Sequence, residues 1–466
     1  MDPFSFENVS HDPVHGYIPF ISRARRAGEG VEREIIDHPW VQRLRQIHQL
    51  QTAWWVFPSA EHTRFQHVLG AMHLASRATR HWYDSLQSST TDVPSRAYVE
   101  LLLRMSGLLH DVGHGPFGHF FDAHFLHQYD LNHEILGAHI IRGPLRDLLA
   151  SLRETPTGRI QADEQLNPDY IAYLICRPSA SEEDFKAPRW LQLLRSLFCG
   201  IYTVDNMDFV LRDAYMSGFS PRSFDLDRLL HYSFFTDAGL TIHDRGMDAL
   251  MRFLTARAEL FRSLYFHRTV RAIDLELADL FAGGRQWLFP GNPLEHLQQY
   301  RQLTEWSLLV DVESWATSAD AEQRELSTRW HRLLHRQLTW KMICEKTVLF
   351  GSGDFEGASL LSTPEFLEQR IRELLPPSIR EMSIRVDVAR HIHRPHTQGP
   401  TAGQNFLFDG PRNRVLPLET HELYRQLPLS QRICRIYGHS TKHQQEVATA
   451  LDQILGGGIE DDATNM

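Results

Sequence analysis

Histidines and acidic residues cluster directly after a strongly apolar segment in the first third of the chain. His110 and Asp111 close a predicted helix, and His114, His119 and Asp122 follow within a short Gly-containing stretch. Imidazoles and carboxylates at a buried helix end cost free energy unless they pair with one another or bind a metal ion. This spacing therefore indicates a site for metal binding or proton transfer.

Two further residues extend this cluster to the composition of a metal site. His67 stands near a predicted helix start, and Asp205 precedes an apolar helical segment. Two His and two Asp suit a borderline divalent ion with open positions for water and phosphate oxygens. Each residue alone has an ordinary alternative role, such as helix capping by Asp205. Their joint occurrence favours the metal site.

The elements that must hold these residues are mostly helices. Apolar residues recur at helical spacing through residues 1–285, which we expect to form one helical domain. Residues 286–455 combine further helices with strand-like segments and predict a smaller α+β region. Residues 456–466 are Gly-rich and acidic and predict a flexible tail. The predicted fold class is therefore mainly α.

Apolar periodicity, turn residues and prolines predict individual elements as well. They are a hairpin within 9–20, a helix within 32–50, a helix from Thr63 to Trp82, a helix from Tyr98 to Leu109, a helix over 247–281 that Gly283 and Gly284 end, strands within 378–391, 404–409 and 433–437 around a loop at 394–403, and a helix within 440–455.

Composition excludes several classes of protein. Hydrophobic residues make up 42% of the 466 residues, enough for a substantial core, and no run of about 18 apolar residues predicts a membrane span. The net charge of −10 argues against general binding of nucleic acid. We expect no secretory signal, because the N-terminus lacks a basic region followed by an apolar one. The four cysteines form no CxxC pair and indicate reduced thiols in a cytoplasmic protein.

Short motifs in a fixed order carry a resemblance to a known family. They are D-P-V-H-G at 12–16, Q-R-L-R at 42–45, V-F-P at 56–58, R-F-Q-H at 64–67, H-D-x-G-H-G-P-F-x-H at 110–119, H-E at 133–134 and D-x-x-D-[YF]-x-x-R-D at 205–213. With this order the chain resembles the HD-domain phosphohydrolases. Within them it is similar to the deoxynucleoside triphosphate triphosphohydrolases related to the sterile-alpha-motif and HD-domain enzyme.

The resemblance implies a helical HD-domain core and a divalent metal, either Mn, Fe, Mg or Zn. The metal ligands that it implies are His67, His110, Asp111 and Asp205. It further implies an enzyme in which water attacks the α-phosphorus of a deoxynucleoside triphosphate and releases intact triphosphate. The nucleotide, with dGTP as one example, is then the expected partner.

The resemblance also assigns roles in proton transfer and phosphate binding. It implies that His119 is the general acid for the leaving 5′-oxygen and that Asp122 and Glu134 orient it. His133 is expected beside the attacking water. The residues expected to touch the phosphates are His114 and Arg64.

A third group of positions resembles the pocket that holds the sugar. Gln49 is expected to bond the 3′-hydroxyl, and Leu50 to leave no room for a ribose 2′-hydroxyl. Tyr265 is expected to stack on the sugar, with Asp213 and Arg257 in the pocket wall. Without the resemblance, core packing explains Leu50 equally well, and Tyr265 would be a core aromatic residue on a helix.

Two positions depart from the family pattern. Asn206 stands where the family has Lys or Arg, and Phe209 stands where it has Tyr. These changes remove one cation and one hydroxyl that would contact phosphates. They leave open an HD-type phosphodiesterase or phosphatase acting on another nucleotide, or a regulator that senses a nucleotide or nucleic acid with little turnover.

A last resemblance concerns regulation. Asp37, Gln42 and Arg45 match positions that hold an activating guanine nucleotide between subunits in regulated members of the family. The alternative is a structural helix start that unregulated relatives share. Activation would imply a homo-oligomer, either a dimer or a tetramer.

Overall fold

The computed structural model describes residues 3–176, 186–351, 361, 363–392 and 405–455. Its α-helices are α1 (Glu32–Ile36), α2 (Pro39–Gln42), α3 (Arg64–Ser89), α4 (Arg96–Leu109), α5 (His119–His124), α6 (His133–Arg142), α7 (Arg146–Ser151), α8 (Pro168–Ile175), α9 (Arg189–Leu194), α10 (Val204–Met216), α11 (Leu226–His231), α12 (Met247–Leu260), α13 (Arg268–Leu288), α14 (Leu297–Gln302), α15 (Glu305–Ser314), α16 (Ala321–Leu334), α17 (Pro364–Leu374), α18 (Glu422–Gln426) and α19 (Gln444–Leu455).

The β-strands are short and lie in small sheets. They are β1 (Glu7–Asp12), β2 (Gly16–Ile21), β3 (Glu154–Thr155), β4 (Gly158–Arg159), β5 (Ser233–Phe235), β6 (Leu240–His243), β7 (Lys341–Phe350), β8 (Ile384–Ile392), β9 (Asn405–Asp409), β10 (Arg414–Pro417) and β11 (Ser430–Gly438). The predicted fold class, mainly α with a smaller α+β region, is confirmed.

The chain packs into two compact units and passes between them more than once. The first unit comprises residues 1–260, 284–312 and 395–425, and the second comprises 261–283, 313–394 and 426–466. The sequence-based boundary at residue 285 stays a prediction. None of the helices within the described ranges is long and apolar enough to cross a bilayer.

Three helices form the centre of the first unit. Helix α3 is buried along most of its length, and it packs against α4 and α10. Gly70 on α3 allows the close approach of α10, because a Cβ there would lie 1.9 Å from Asp208 Oδ1. Ser95 caps α4 by accepting a hydrogen bond from the Tyr98 amide, which fixes where this helix starts.

Each unit has its own sheets. In the first unit β1 and β2 form the predicted antiparallel hairpin, and a four-stranded sheet has the order β10-β9-β6-β5. In the second unit β7, β11 and β8 form an antiparallel sheet in that order. Apolar residues of α17 and α19 pack on this sheet and bury Ile436 completely.

Two predicted helices differ from the structure. Proline breaks the segment 32–50, because Pro39 has no amide hydrogen for a preceding helix and instead starts α2, with His38 as its cap. The segment 247–281 is α12 and α13 separated by a π-helical turn at Phe261–Tyr265.

The end of the second of these helices was also predicted wrongly. Helix α13 continues through Gly283 and Gly284 to Leu288. A Cβ at Gly283 would lie 3.2 Å from Leu326 Cδ2, so the small residue admits a close neighbour at a modest cost in helix propensity. The predicted loop at 394–403 and the tail 456–466 lie outside the described residues.

Candidate metal centre and its surroundings

The four predicted metal ligands lie together at the meeting point of α3, α4 and α10. The Nε2 atoms of His67 and His110 are 3.1 Å apart. Asp205 Oδ1 lies 3.1 Å from His67 Nε2, and Asp111 Oδ1 lies 3.5 Å from His110 Nε2. We call these four residues the metal group.

Each imidazole of the metal group is held by its other ring nitrogen. His67 Nδ1 is 2.8 Å from Asp208 Oδ2, and His110 Nδ1 donates to the Gly107 carbonyl at 2.9 Å. Such outer contacts orient metal-binding histidines and fix which nitrogen carries the hydrogen. Both Nε2 atoms are therefore directed to the same point, where Asp111 and Asp205 also lie.

Sequence reasoning assigned no role to the residues behind His67. Asp208 accepts two hydrogen bonds from Arg212 and lies 2.7 Å from His15 Nε2. Arg212 also donates to Asp12 Oδ2 at 2.8 Å. These residues lie within the motifs at 12–16 and 205–213, and the i,i+4 spacing of Asp208 and Arg212 on a helix is a sign of pairing that the sequence contains.

The electrostatics of the metal group favour a cation. Burial alone would lower the pKa of His67, but hydrogen bonds to Asp205 and Asp208 raise it to about 10. Burial acts to raise the pKa of Asp111, but Arg64 and the neighbouring imidazoles hold it well below its ordinary value. Two nitrogen and two carboxylate donors in a field that stabilises positive charge fit a divalent transition metal.

A second cluster adjoins the first. Asp122 Oδ2 is 2.5 Å from His133 Nδ1 and 3.5 Å from His119 Nδ1. The rings of His114 and His133 stack with centroids 3.7 Å apart. We call these four residues the histidine group. Glu134 follows His133 on α6, and its predicted role stays a prediction.

The two groups meet at Arg64 and His114. His114 Nε2 lies 3.3 Å from Asp111 Oδ1, and Arg64 donates to Asp111 Oδ2 at 2.6 Å. Burial and the Arg64 charge lower the pKa of His114 well below its ordinary value. Gly118, with a φ of +55°, lets Arg64 pass, because a Cβ there would lie 2.3 Å from Arg64 Nη2.

The predicted sugar residues are partly brought together. The main-chain N–H of Gln49 donates to the main-chain carbonyl of His62 at 3.0 Å. The imidazole Nε2 of His62 lies 2.7 Å from Asp213 Oδ1. Leu50 is buried. Gln49 Oε1 is buried and has no hydrogen-bond partner within the described ranges. His62, which sequence reasoning missed, thus joins two of the predicted positions.

The remaining predicted substrate residues lie in several elements. Arg257 on α12 is buried and donates to the Ile201 carbonyl at 3.1 Å. Asn206 and Phe209 are half-buried, one turn apart on α10. Tyr265 ends the π-helical turn and belongs to the second unit.

The predicted activator residues already make contacts within the chain. Asp37 accepts from Arg33 at 3.1 Å, and Gln42 Nε2 donates to the Ile36 carbonyl at 2.8 Å. Arg45 donates to Gln42 Oε1 at 2.8 Å. Asp37 also lines an open cleft of about 650 Å³. These contacts suit a structural helix start and leave the activator site a prediction.

Comparison with known proteins agrees with this arrangement at the level of the domain. The HD domain family model matches residues 64–177, which include three of the four residues of the metal group. This part of the chain is therefore similar to the HD domain family.

Relatives with known names extend this similarity over more of the chain. Uncharacterized protein YwfO of Bacillus subtilis is 28% identical over 72% of this chain and 71% of its own length. Deoxynucleoside triphosphate triphosphohydrolase SAMHD1 of Bos taurus is 30% identical over 59% of this chain, but the match spans 47% of that protein. The human SAMHD1 is 24% identical over 92% of this chain and 70% of that protein. The chain thus resembles these triphosphohydrolases, as its motifs predict.

A solved structure shares the fold. The crystal structure of a hypothetical protein from Aquifex aeolicus superposes with a TM-score of 0.66 and covers 96% of this chain and 100% of that chain. At 22% sequence identity this likeness concerns the fold alone.

Proposed function

We propose that this protein is a metal-dependent phosphohydrolase that converts a deoxynucleoside triphosphate to a deoxynucleoside and inorganic triphosphate. The observation that carries the proposal is the convergence of His67 Nε2 and His110 Nε2 with Asp111 and Asp205, each imidazole being held from behind. The similarity to proteins named deoxynucleoside triphosphate triphosphohydrolase supports the choice of substrate.

The metal group would hold a divalent ion, which would supply a Lewis acid for phosphate oxygens and lower the pKa of water. Asp208 and the Gly107 carbonyl orient the two imidazoles for this task. Arg64 bonds Asp111 through one guanidinium nitrogen, while its buried Nε has no hydrogen-bond partner within the described ranges. This nitrogen is suited to bond a phosphate oxygen.

The histidine group supplies a proton to the leaving group. The side chain of His119 is 57% exposed, whereas the side chains of Asp122 and His133 are 14% and 12% exposed. His119 can therefore reach a bound substrate and donate a proton to the leaving 5′-oxygen, while Asp122 holds its Nδ1 side. His114 contacts the phosphates as a neutral imidazole.

The sugar lies against Gln49, Leu50 and Asp213. The unbonded Oε1 of Gln49 accepts a hydrogen bond from the 3′-hydroxyl, and Leu50 excludes a 2′-hydroxyl. Leaving such a hydroxyl unsatisfied costs about 1–3 kcal/mol, so we expect dGTP to be preferred over GTP by about fivefold to a few hundredfold. Steady-state kinetics with both nucleotides measure this preference, and equal kcat/KM values would contradict it. Leu50→Gly should reduce the preference, mainly by improving GTP.

Product analysis tests the reaction itself. The protein is incubated with each deoxy- and ribonucleoside triphosphate and Mn²⁺, Fe²⁺ or Mg²⁺, and ion exchange separates the products. Triphosphate release from deoxynucleotides is expected. Release of pyrophosphate and monophosphate would instead assign the protein to another class of HD phosphohydrolase.

A nucleotide-sensing regulator is the second candidate. Asn206 and Phe209 favour it, because they place no cation and no hydroxyl at positions expected to bind phosphates. Nucleotide binding without any product would support it. The activator site, the homo-oligomer and the cytoplasmic location stay predictions.

A further inference from the structure

A short bridge between two segments lies next to the metal centre. Residues 47–49 run antiparallel to residues 62–64, with His48 opposite Thr63. The main-chain N–H of Arg64 donates to the carbonyl of Ile47 at 3.0 Å, and the main-chain N–H of Gln49 donates to the carbonyl of His62 at 3.0 Å. This bridge therefore connects the segment that carries Gln49 and Leu50 to the residue that bonds Asp111.

His62 makes a second contact from this bridge through its side chain. Its imidazole and the Asp213 side chain are both almost fully buried, with His62 Nε2 2.7 Å from Asp213 Oδ1. The carboxylate accepts, so Nε2 carries the hydrogen and donates. This bond fixes the rotation of the Asp213 carboxylate about its own side-chain axis.

We propose that His62 is a positioning residue for recognition of the 3′-hydroxyl of the nucleotide sugar. Its main chain holds Gln49 and its side chain holds Asp213, and the proposed function places both of these residues at the sugar. The inference rests on that proposed function. His62 is in neither the metal group nor the histidine group, so we expect a change of its side chain to act on how the sugar is held.

A purely structural role explains His62 less well. His62 Nδ1 is buried and has no hydrogen-bond partner within the described ranges. A buried polar atom left without a partner costs free energy that an apolar side chain of similar size would avoid. An imidazole at this position, in place of an apolar side chain, is explained by the Asp213 carboxylate that it orients.

The experiment compares two substrates that differ only at the 3′ position, namely dGTP and 2′,3′-dideoxyguanosine triphosphate. We expect His62→Leu to lower kcat/KM for dGTP by about tenfold to a hundredfold, the range of a hydrogen bond to a charged group. For the dideoxynucleotide the loss should be less than about threefold. His62→Gln, whose amide nitrogen can still reach Asp213, should restore most of the preference for dGTP. His139→Leu, at an exposed histidine of α6, is the matched control and should change neither substrate.

Equal losses on both substrates would overturn the proposal, because a general packing defect does not distinguish them. If His62→Leu does not fold, His62→Asn gives the same test, since its shorter side chain cannot reach Asp213. If the wild-type protein hydrolyses no nucleotide, the proposed function fails, and calorimetric binding of the two nucleotides tests His62 alone. A wild-type preference for dGTP that His62→Leu removes would then support the positioning role, and an unchanged or absent preference would contradict it.

Discussion

The metal group and the histidine group lie side by side but are built differently. In the metal group two carboxylates face two imidazoles, and each imidazole is fixed by a second contact, to Asp208 or to the Gly107 carbonyl. In the histidine group three imidazoles share one carboxylate, Asp122, at distances from 2.5 to 3.9 Å. We expect the first arrangement to hold a metal ion and the second to leave its imidazoles able to contact a substrate and exchange protons.

The largest effect is expected from removing a carboxylate of the metal group. Asp111→Ala should abolish metal binding and hydrolysis together, because it deletes a ligand and leaves the buried Arg64 without its partner. Elemental analysis and product assays on the folded variant measure this. A folded, inactive Asp111→Ala protein with one metal ion per chain would count against the assignment.

Removing the exposed member of the histidine group should separate chemistry from metal binding. His119→Ala should keep the metal but lose about two to four orders of magnitude in turnover, the usual share of general acid catalysis. His139→Ala provides a control at an exposed histidine on α6. A near wild-type rate would remove His119 from the mechanism and leave His133 as the candidate.

A smaller effect on metal binding is expected from Asp208, which contacts the metal-group residue His67. Asp208→Asn should weaken metal affinity by about tenfold to a hundredfold, because the carboxylate that orients His67 loses its charge. Titration of the metal-free protein against a competing chelator gives the affinity. Unchanged affinity would mean that Asp208 only supports the packing of α10 on α3.

The smallest effect is expected at the departure from the family pattern. Asn206→Lys should lower KM for a triphosphate several-fold by adding a cation beside the phosphates, with little change in metal content. Steady-state kinetics on dGTP measure it. Loss of activity on every triphosphate would indicate instead that Asn206 recognises a different nucleotide.

The sequence predicted which residues meet better than it predicted how they are held. The apolar run before His110 correctly predicted a helix, and the turn residues within 9–20 correctly predicted a hairpin. Both elements depend on local pattern and turn residues. The breaks at Pro39 and at the π-helical turn Phe261–Tyr265 were missed, since helical periodicity continues across them. Helix α13 continues through Gly283 and Gly284 despite their low helix propensity, and Gly283 lies close to Leu326.

The supporting contacts of the site were beyond the reach of sequence spacing. Asp208 lies far along the chain from His15 and from His67, and the packing of α10 on α3 at Gly70 brings it to both of them. The pairing of His62 with Asp213 likewise joins residues 151 positions apart. Such contacts follow from tertiary packing, which a single sequence does not display.

The difference between the two groups is tested most directly by counting metal sites in a matched pair of variants. Mn²⁺ is titrated into metal-free wild-type protein, Asp111→Asn and Asp122→Asn, and the bound ion is followed by electron paramagnetic resonance. Both groups have side chains that could hold an ion. The proposed function predicts one tight site per chain, lost in Asp111→Asn and retained in Asp122→Asn. A tight site that survives Asp111→Asn, or that disappears in Asp122→Asn, would place the metal in the histidine group and contradict the assignment.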